Sequence, residues 1–172
     1  MEQNFGSKPY YYASGRRIPL TPAKEWLVID AQHLPTDVPE TVQAELQHEA
    51  QWLSADIQMV RRAALSPDTI AFLQQADAMG SVFRAAGALV VVLPEVRVEE
   101  HRPAQQERLL EWLEQNSQEA RISRQNTRGM VLTPTSGHGM DAVTLANRLT
   151  EEIAPEMAQA HFLRIVPQSS IA

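Results

Sequence analysis

The chain has 172 residues, a net charge of −6 and no cysteine. That length buries a sizeable core in one domain or two small ones, and the absence of cysteine excludes disulfides, thiolate metal sites and a cysteine nucleophile. An acidic balance disfavours nucleic acid as the main partner, because phosphate binding needs a basic face, and the Arg16-Arg17 and Arg61-Arg62 pairs are too short to reverse it. The opening residues MEQNFGSKP carry no basic n-region or apolar h-region, and no apolar run of about 18 residues is present to span a bilayer. As written, the chain reads as soluble, cytoplasmic and without a membrane partner; a piece of a longer secreted precursor would read the same way.

Tyr10-Tyr11-Tyr12 and Ile18–Leu20 flank Ser14-Gly15, which predicts a short hairpin of β-forming residues around a glycine turn. Trp26–Ile29 predicts a third strand. From Val38 the period turns helical: Val42, Leu46, Ala50, Leu53, Ile57, Val60 and Ala64 recur at three- and four-residue steps, as one long helix or two separated near Ser54. Ser66 reads as an N-cap, with Pro67 at the first helical position and Asp68 in the acid-favouring first turn. Ile70, Leu73 and Ala76 supply that helix's buried side, and Gly80 is placed to end it.

Ala88–Val92 predicts a strand, and Val96 and Val98, alternating with Arg97 and Glu99, a second one after Pro94. Arg102-Pro103 opens a helix with Leu109, Leu110, Trp112 and Leu113 as its core residues. Ala120 and Ile122 alternate with Arg121 and Ser123 in a short strand. Asn126–Gly129 turns the chain, Met130–Leu132 returns, and residues 133–139 form a loop. Ala142, Leu145, Ala146, Leu149 and Ile153 then share one face of a helix, which Pro155 helps to end. Ala158, Ala160 and Phe162 alternate with Gln159 and His161 in a last strand.

From Val96 the order is therefore strand, helix, strand, strand, helix, strand. This is the split βαβ arrangement: an antiparallel sheet with two helices on one face. The expected class is α+β. A hairpin and helical region over residues 1–88 precedes a ferredoxin-like βαββαβ domain over residues 89–172, which ends in a tail. No internal repeat and no low-complexity segment stands out.

Two stretches carry a family likeness. DAVTLANRLTEEIAPEMAQAHFLRIV resembles the end of the N-terminal propeptide of bacterial subtilisin-like serine proteases, where ALxLANxLYExGLVExAxPxFLR recurs. Leu145, Ala146, Asn147, Leu149, Glu152, Ala158, Phe162 and Leu163 fit that pattern; His161 stands in place of its usual Asp, and Ile153-Ala154-Pro155 in place of Gly-Leu-Val. YYYASGRRIPL, from Tyr10 to Leu20, is similar to the YYYxxGxxIxL opening of multi-domain subtilases, and Trp26–Asp30 follows their VAVRF-like strand loosely. The likeness covers about 22 residues at the start and about 70 at the end; the middle, roughly Ala31 to Ala88, aligns to nothing. It implies a ferredoxin-like fold, a subtilisin-like protease as partner, and contact through the last strand, the tail and the open sheet face. The tail implied by the family runs extended into the protease's substrate cleft, as an added edge strand. His161, Phe162, Arg164, Val166, Gln168, Ser169 and Ile171 are the binding residues it points to. Gln125-Asn126-Thr127, where propeptides often carry helix-capping carboxylates, has none.

Ser136, His138 and Asp141 fall within one short loop, but a hydrolytic triad converges from separate parts of a rigid scaffold. The Asp, HGT-type His and GTSM segments of subtilases are also absent, so the chain is not the protease itself. Gly137 and Gly139 before a helix could cradle an anion, yet no dinucleotide or P-loop glycine pattern is present. His33, His48, His101 and His161 lie far apart, and no metal or cofactor is expected. Glu99, Glu100, Glu107, Glu111 and Glu114 read as solvated faces. The expected function is a non-enzymatic propeptide-like module, a folding template and inhibitor of a subtilisin-like protease. The alternative is a stand-alone protein-binding adaptor on the same sheet; a small hydrolase using Ser136 and His138 is the remote third.

Overall fold

A computed structural model of the protein describes residues 9–165. Contacts gather the chain into two compact units, Pro22–Arg84 and the combination of Met1–Thr21 with Ala85–Ala172. Among the described residues the fold mixes four α-helices with antiparallel strands and opens on a β-hairpin. No helix there is long and apolar enough to cross a membrane.

The hairpin is β1 (Tyr10–Ala13) and β2 (Arg16–Pro19), paired from Tyr10↔Pro19 to Ala13↔Arg16. Ser14 (φ 50°) and Gly15 (φ 75°) both take positive φ, the two-residue turn whose twist matches paired strands. Leu20, fully buried, then donates its N–H to the Pro9 carbonyl at 2.8 Å.

Residues 22–84 hold β3 (Thr21–Asp30), α1 (Glu40–Glu49), β4 (Gln51–Trp52), β5 (Ile57–Arg61), α2 (Pro67–Gln75) and β6 (Met79–Ala85), with strands ordered β4-β5-β3-β6. The expected third strand lies inside β3, which pairs β5 from Trp26↔Arg61 to Asp30↔Ile57; the Arg61 guanidinium sits 4.6 Å over the Trp26 ring. Leu27, Ile29, Val42, Leu46, Val60, Leu65, Leu73 and Ala78 form the core. Ser66 caps α2 as expected, accepting from the Thr69 N–H at 3.3 Å, with Pro67 and Asp68 in the first turn.

Two expectations fail here. The helical period from Val38 holds only through Glu49: Ala50 turns extended (ψ 145°), Leu53 and Ser54 donate their N–H groups to the Ile57 carbonyl, and Ile57–Val60 is a strand. All four of those residues are buried, so the two-residue alternation that marks a strand is missing, and the leftover spacing mimics a helix. Nor does Gly80 end α2. The helix stops at Gln75, Asp77 takes the left-handed turn (φ 55°), and Gly80 lies within β6 beside Val28.

The other unit resumes with β7 (Ala88–Glu99), α3 (Pro103–Gln115), β8 (Ala120–Gln125), β9 (Gly129–Pro134), α4 (Gly139–Glu152) and β10 (Met157–Ile165). Its strands run β10-β7-β9-β8, every pairing antiparallel. β7 is one 12-residue strand rather than two. Pro94, which has no N–H for a ladder, sits where the pairing with β10 jumps from Ala160↔Val96 to Phe162↔Val92, so the proline falls in the irregularity instead of breaking the strand. Val96, Val98, Leu132 and Ala160 point inward beneath the buried Ala142, Leu145, Ala146 and Leu149 of α4, while Arg97 and Glu99 point outward. Gly139 lets α4 start close to the sheet: a Cβ there would run into the Val92 carbonyl.

Leu109, Trp112 and Leu113 of α3 are buried as expected, but Leu110 is 41% exposed, and Ile122 on β8 is 39% exposed. Leu110 lies off the i, i+3, i+4 stripe formed by Leu109, Trp112 and Leu113, and among the described residues β8 pairs with β9 alone. α4 ends with Ala154 in the left-handed region (φ 52°), its N–H bonded to the Leu149 carbonyl, immediately before Pro155.

Both units follow the same connectivity. Each runs β-α-β-β-α-β, and in each the strand order is fourth, first, third, second: β6-β3-β5-β4 and β10-β7-β9-β8. The repeat lies in the connections, not in the residues.

Candidate protein-binding face

The sheet β10-β7-β9-β8 has α4 on one side; on the other, among the described residues, Arg97, Glu99, Arg121, Arg124 and Gln159 are exposed, while at the start of β7 the neighbours Val90 and Val91 are both buried. Directly opposed residues on antiparallel strands share a face. Arg97 opposes Val131, and Val131 opposes Arg124, so two arginines flank one valine across three strands. Arg121 opposes Thr133 on that same face, two residues along β9. β8 would ordinarily send Arg121 and Arg124 to opposite sides. A bulge between Ile122 and Arg124 takes up the extra residue and returns Arg124 to the face of Arg121. Ser123 at the bulge donates its hydroxyl to the Val131 carbonyl at 3.0 Å.

Arg128, in the turn to β9, joins Arg97 and Arg124 in lining a shallow open groove of about 650 Å3, with Glu99 as its acidic member. Arg97, Arg121, Arg124 and Arg128 are exposed, and among the described residues none of them forms an ion pair. A chain with net charge −6 thus presents a basic face here. Sequence reading missed it, because Arg121 and Arg124 share a side only through the bulge, and Arg97 joins them only through strand pairing.

Of the residues named by the family likeness, His161, Phe162 and Arg164 lie on β10. His161 Nδ1 is 3.4 Å from Glu95 Oε2, Arg164 is exposed, and Phe162 packs against Tyr11 with ring centroids 4.7 Å apart. A groove of about 310 Å3 brings the three together with Tyr11, Arg97 and Gln159. Val166, Gln168, Ser169 and Ile171 lie outside the described residues.

The hairpin holds the end of α4. Tyr10 and Tyr12 both donate their hydroxyls to Glu151 Oε1, at 2.7 and 2.8 Å, and Asn147 Nδ2 donates to the Tyr10 carbonyl at 2.8 Å. Arg17 lies 4.5 Å over the Tyr10 ring and donates Nε to Tyr12 Oη at 3.1 Å. The hydrogen bond to Glu151 pushes the Tyr10 hydroxyl up to about 12, and the two tyrosines hold Glu151 below its ordinary value.

Glu100 is not the solvated carboxylate its neighbours suggest: 1% of its side chain is exposed. It accepts from Arg102 Nε at 2.9 Å and Nη2 at 2.8 Å, from the Arg102 N–H at 2.9 Å and from the Glu156 N–H at 3.2 Å. The Arg102 guanidinium, followed by the backbone donors, overcomes burial and holds this carboxyl at about 2. The cluster joins the start of α3 to the link between α4 and β10, where Gln105 also donates to the Ile153 carbonyl at 3.0 Å.

The Ser136–Asp141 loop is a turn into α4. Ser136 Oγ accepts the His138 backbone N–H at 3.2 Å, Gly137 takes φ 72°, and Asp141 sits in the first turn of the helix. Ser136 and Asp141 line a groove of about 400 Å3 with Glu119 and Arg148, while His138 is not part of its lining. Among the described residues no group of His, Asp and Glu could hold a metal ion. Comparisons with protein-family models, with curated proteins and with solved structures find no match to this chain.

Proposed function

We propose that the chain is a non-catalytic protein-binding module of the subtilase-propeptide kind, with a ferredoxin-like C-terminal domain that binds a subtilisin-like protease as inhibitor and folding template. The observation that carries this reading is the exposed part of the β10-β7-β9-β8 sheet opposite α4, where Arg97, Arg121, Arg124 and Gln159 stand on one face among the described residues. The βαββαβ order with strands arranged fourth, first, third, second supports the ferredoxin-like assignment. A rigid sheet face of this kind would act on a protease by stabilising long-range strand pairings that form slowly alone. The strand β10, with His161, Phe162 and Arg164, would lead the tail residues Val166, Gln168, Ser169 and Ile171 to the cleft, as strand addition requires. The test is a mixing assay with the catalytic domain of a bacterial subtilisin-like protease. Slow-onset inhibition and faster recovery of activity from denatured protease are expected; no effect on either would remove this function.

A second reading, an adaptor for another protein, is favoured by the arginines on the same face. Propeptides of this family often bring carboxylates to the loop between their middle strands. Here the loop Gln125-Asn126-Thr127-Arg128 carries Arg128 and no acid, with Arg124 just before it. Retention of a partner other than a protease by the intact chain, with no inhibition in the mixing assay, would select it.

A further inference from the structure

We infer that the free edge of β8 is a docking site for an extended polypeptide segment in which acidic and apolar residues alternate. Among the described residues β8 pairs with β9 alone, and every residue of it but Ala120 is exposed. An edge strand offers unpaired N–H and C=O groups to any chain that can lie beside it. What differs here is that the two faces bordering the edge have opposite chemistry.

On the open face stand Arg121 and Arg124, with Arg97 behind them, all without carboxylate partners among the described residues. On the helix face stands Ile122, opposite the fully buried Leu132 yet itself 39% exposed. Leu110 of α3, 41% exposed, lines a small cleft of about 170 Å3 with Gln125, Asn126 and Met130 at the end of β8. Leu110 and Ile122 are two of the three large apolar side chains exposed in the described residues. A strand added to β8 sends successive side chains to opposite faces. One set would meet the arginines and the other would cover Ile122 and approach Leu110. Carboxylates suit the first set, because Arg pairs them through a planar fork; aliphatic side chains suit the second.

The same features dispose of other occupants. A second copy of this chain, edge to edge, would bring Arg121 and Arg124 against their own kind. Single-stranded nucleic acid binds by stacking bases on aromatic rings, and no aromatic residue lies among those lining the arginine groove. The bulge and the arginines that guard the edge against self-association leave it open to one kind of partner. This site is at the edge away from β10 and stands without the protease reading.

The experiment uses the full chain and a synthetic peptide in which Glu and Val alternate over the length of β8, followed by fluorescence anisotropy. Three controls are a peptide of the same composition with its acidic and apolar residues in blocks, the alternating peptide N-methylated on the edge that faces β8, and a single-stranded oligonucleotide. The alternating peptide should bind, and weaken as salt rises; the blocked and N-methylated peptides should bind at least about tenfold more weakly. Arg121→Glu with Arg124→Glu should lose about tenfold or more for the Glu peptide and gain affinity for a Lys-Val peptide. Both arginines are exposed and form no ion pair among the described residues, so circular dichroism should be unchanged. Failure of the alternating peptide to bind, equal binding of the blocked or N-methylated peptide, tighter binding of the oligonucleotide, or no charge-swap rescue would overturn the inference.

Discussion

A carboxylate with almost no exposed surface stays charged only where donors surround it, and Glu100 has four donor contacts from Arg102 and Glu156. Its folded value of about 2 lies below the ordinary glutamate value of 4.5, so the charged form is the one that folding favours. The stability linked to it is complete above about pH 4.5 and is lost as pH falls toward 2. Replacement of Glu100 by Gln should cost about 1–3 kcal/mol at neutral pH, since donors of Arg102 and Glu156 lose a charged acceptor. Denaturant melts at several pH values check both points: wild type should lose more stability than Glu100→Gln between pH 4.5 and 2. The lowered Glu45 and Glu151 contribute in both proteins and cancel in the comparison. Tyr10 gives the opposite sign. Its raised hydroxyl favours the neutral form, so its contribution is present below the ordinary value of 10 and lost as pH rises through about 12. Ultraviolet titration should show one tyrosine ionising last, and Glu151→Gln should bring it back toward 10. None of this was visible in the sequence, where Glu100 is one acid in a row and the tyrosine triplet is only a strand. The distinction between Tyr10 and Tyr12, bonded to Glu151, and Tyr11, packed on Phe162, depends on where α4 and β10 lie.

At the scale of elements, what could be read was what local chemistry decides. Ser66-Pro67-Asp68 marks the start of α2 whatever the chain does elsewhere, and the apolar stripe of α4 from Ala142 to Leu149 is buried as its period requires. What could not be read depended on neighbours. Ile57–Val60 is buried at every position and has no alternation to betray it; the bulge at Ser123, which puts Arg121 and Arg124 together, is a property of pairing with β9. Two substitutions separate these cases. Ser66→Ala removes the side-chain acceptor for the Thr69 N–H and should cost about 1 kcal/mol in a denaturant melt, the usual price of a lost N-cap. Gly139→Ala introduces a methyl group where α4 meets the Val92 carbonyl, so either α4 shifts or β7 bends. That should cost about 1–3 kcal/mol, and the amides of Val91 and Val92 should lose hydrogen-exchange protection ahead of those in α2. A change confined to the exposed loop before α4 would mean that the close approach is relieved there instead.

Across the whole molecule, the doubled βαββαβ connectivity changes what each part should do alone. Only the second copy was expected from sequence. In the first, the helical spacing that continued past Glu49 hid β4 and β5, and with them the strand order that makes the two alike. Residues 22–84 carry a complete set of strands, a core of their own from Leu27 to Ala78, and the Arg84–Glu25 ion pair that ties β6 to β3. Glu45 of α1 also accepts from Ser66 and Thr69 at the start of α2, so the two helices are joined by hydrogen bonds as well as by apolar contact. Nothing in that list needs a residue outside 22–84. Expressed alone, the segment should therefore unfold cooperatively in urea, with a slope of about 1 kcal/mol per molar, as suits so short a chain. Its stability should be only a few kcal/mol, because domains of this size bury a small fraction of their surface. A gradual melt without a baseline, or far-UV circular dichroism lacking helix, would show instead that the first copy of the connectivity is held in shape by the rest of the chain and is not a folding unit.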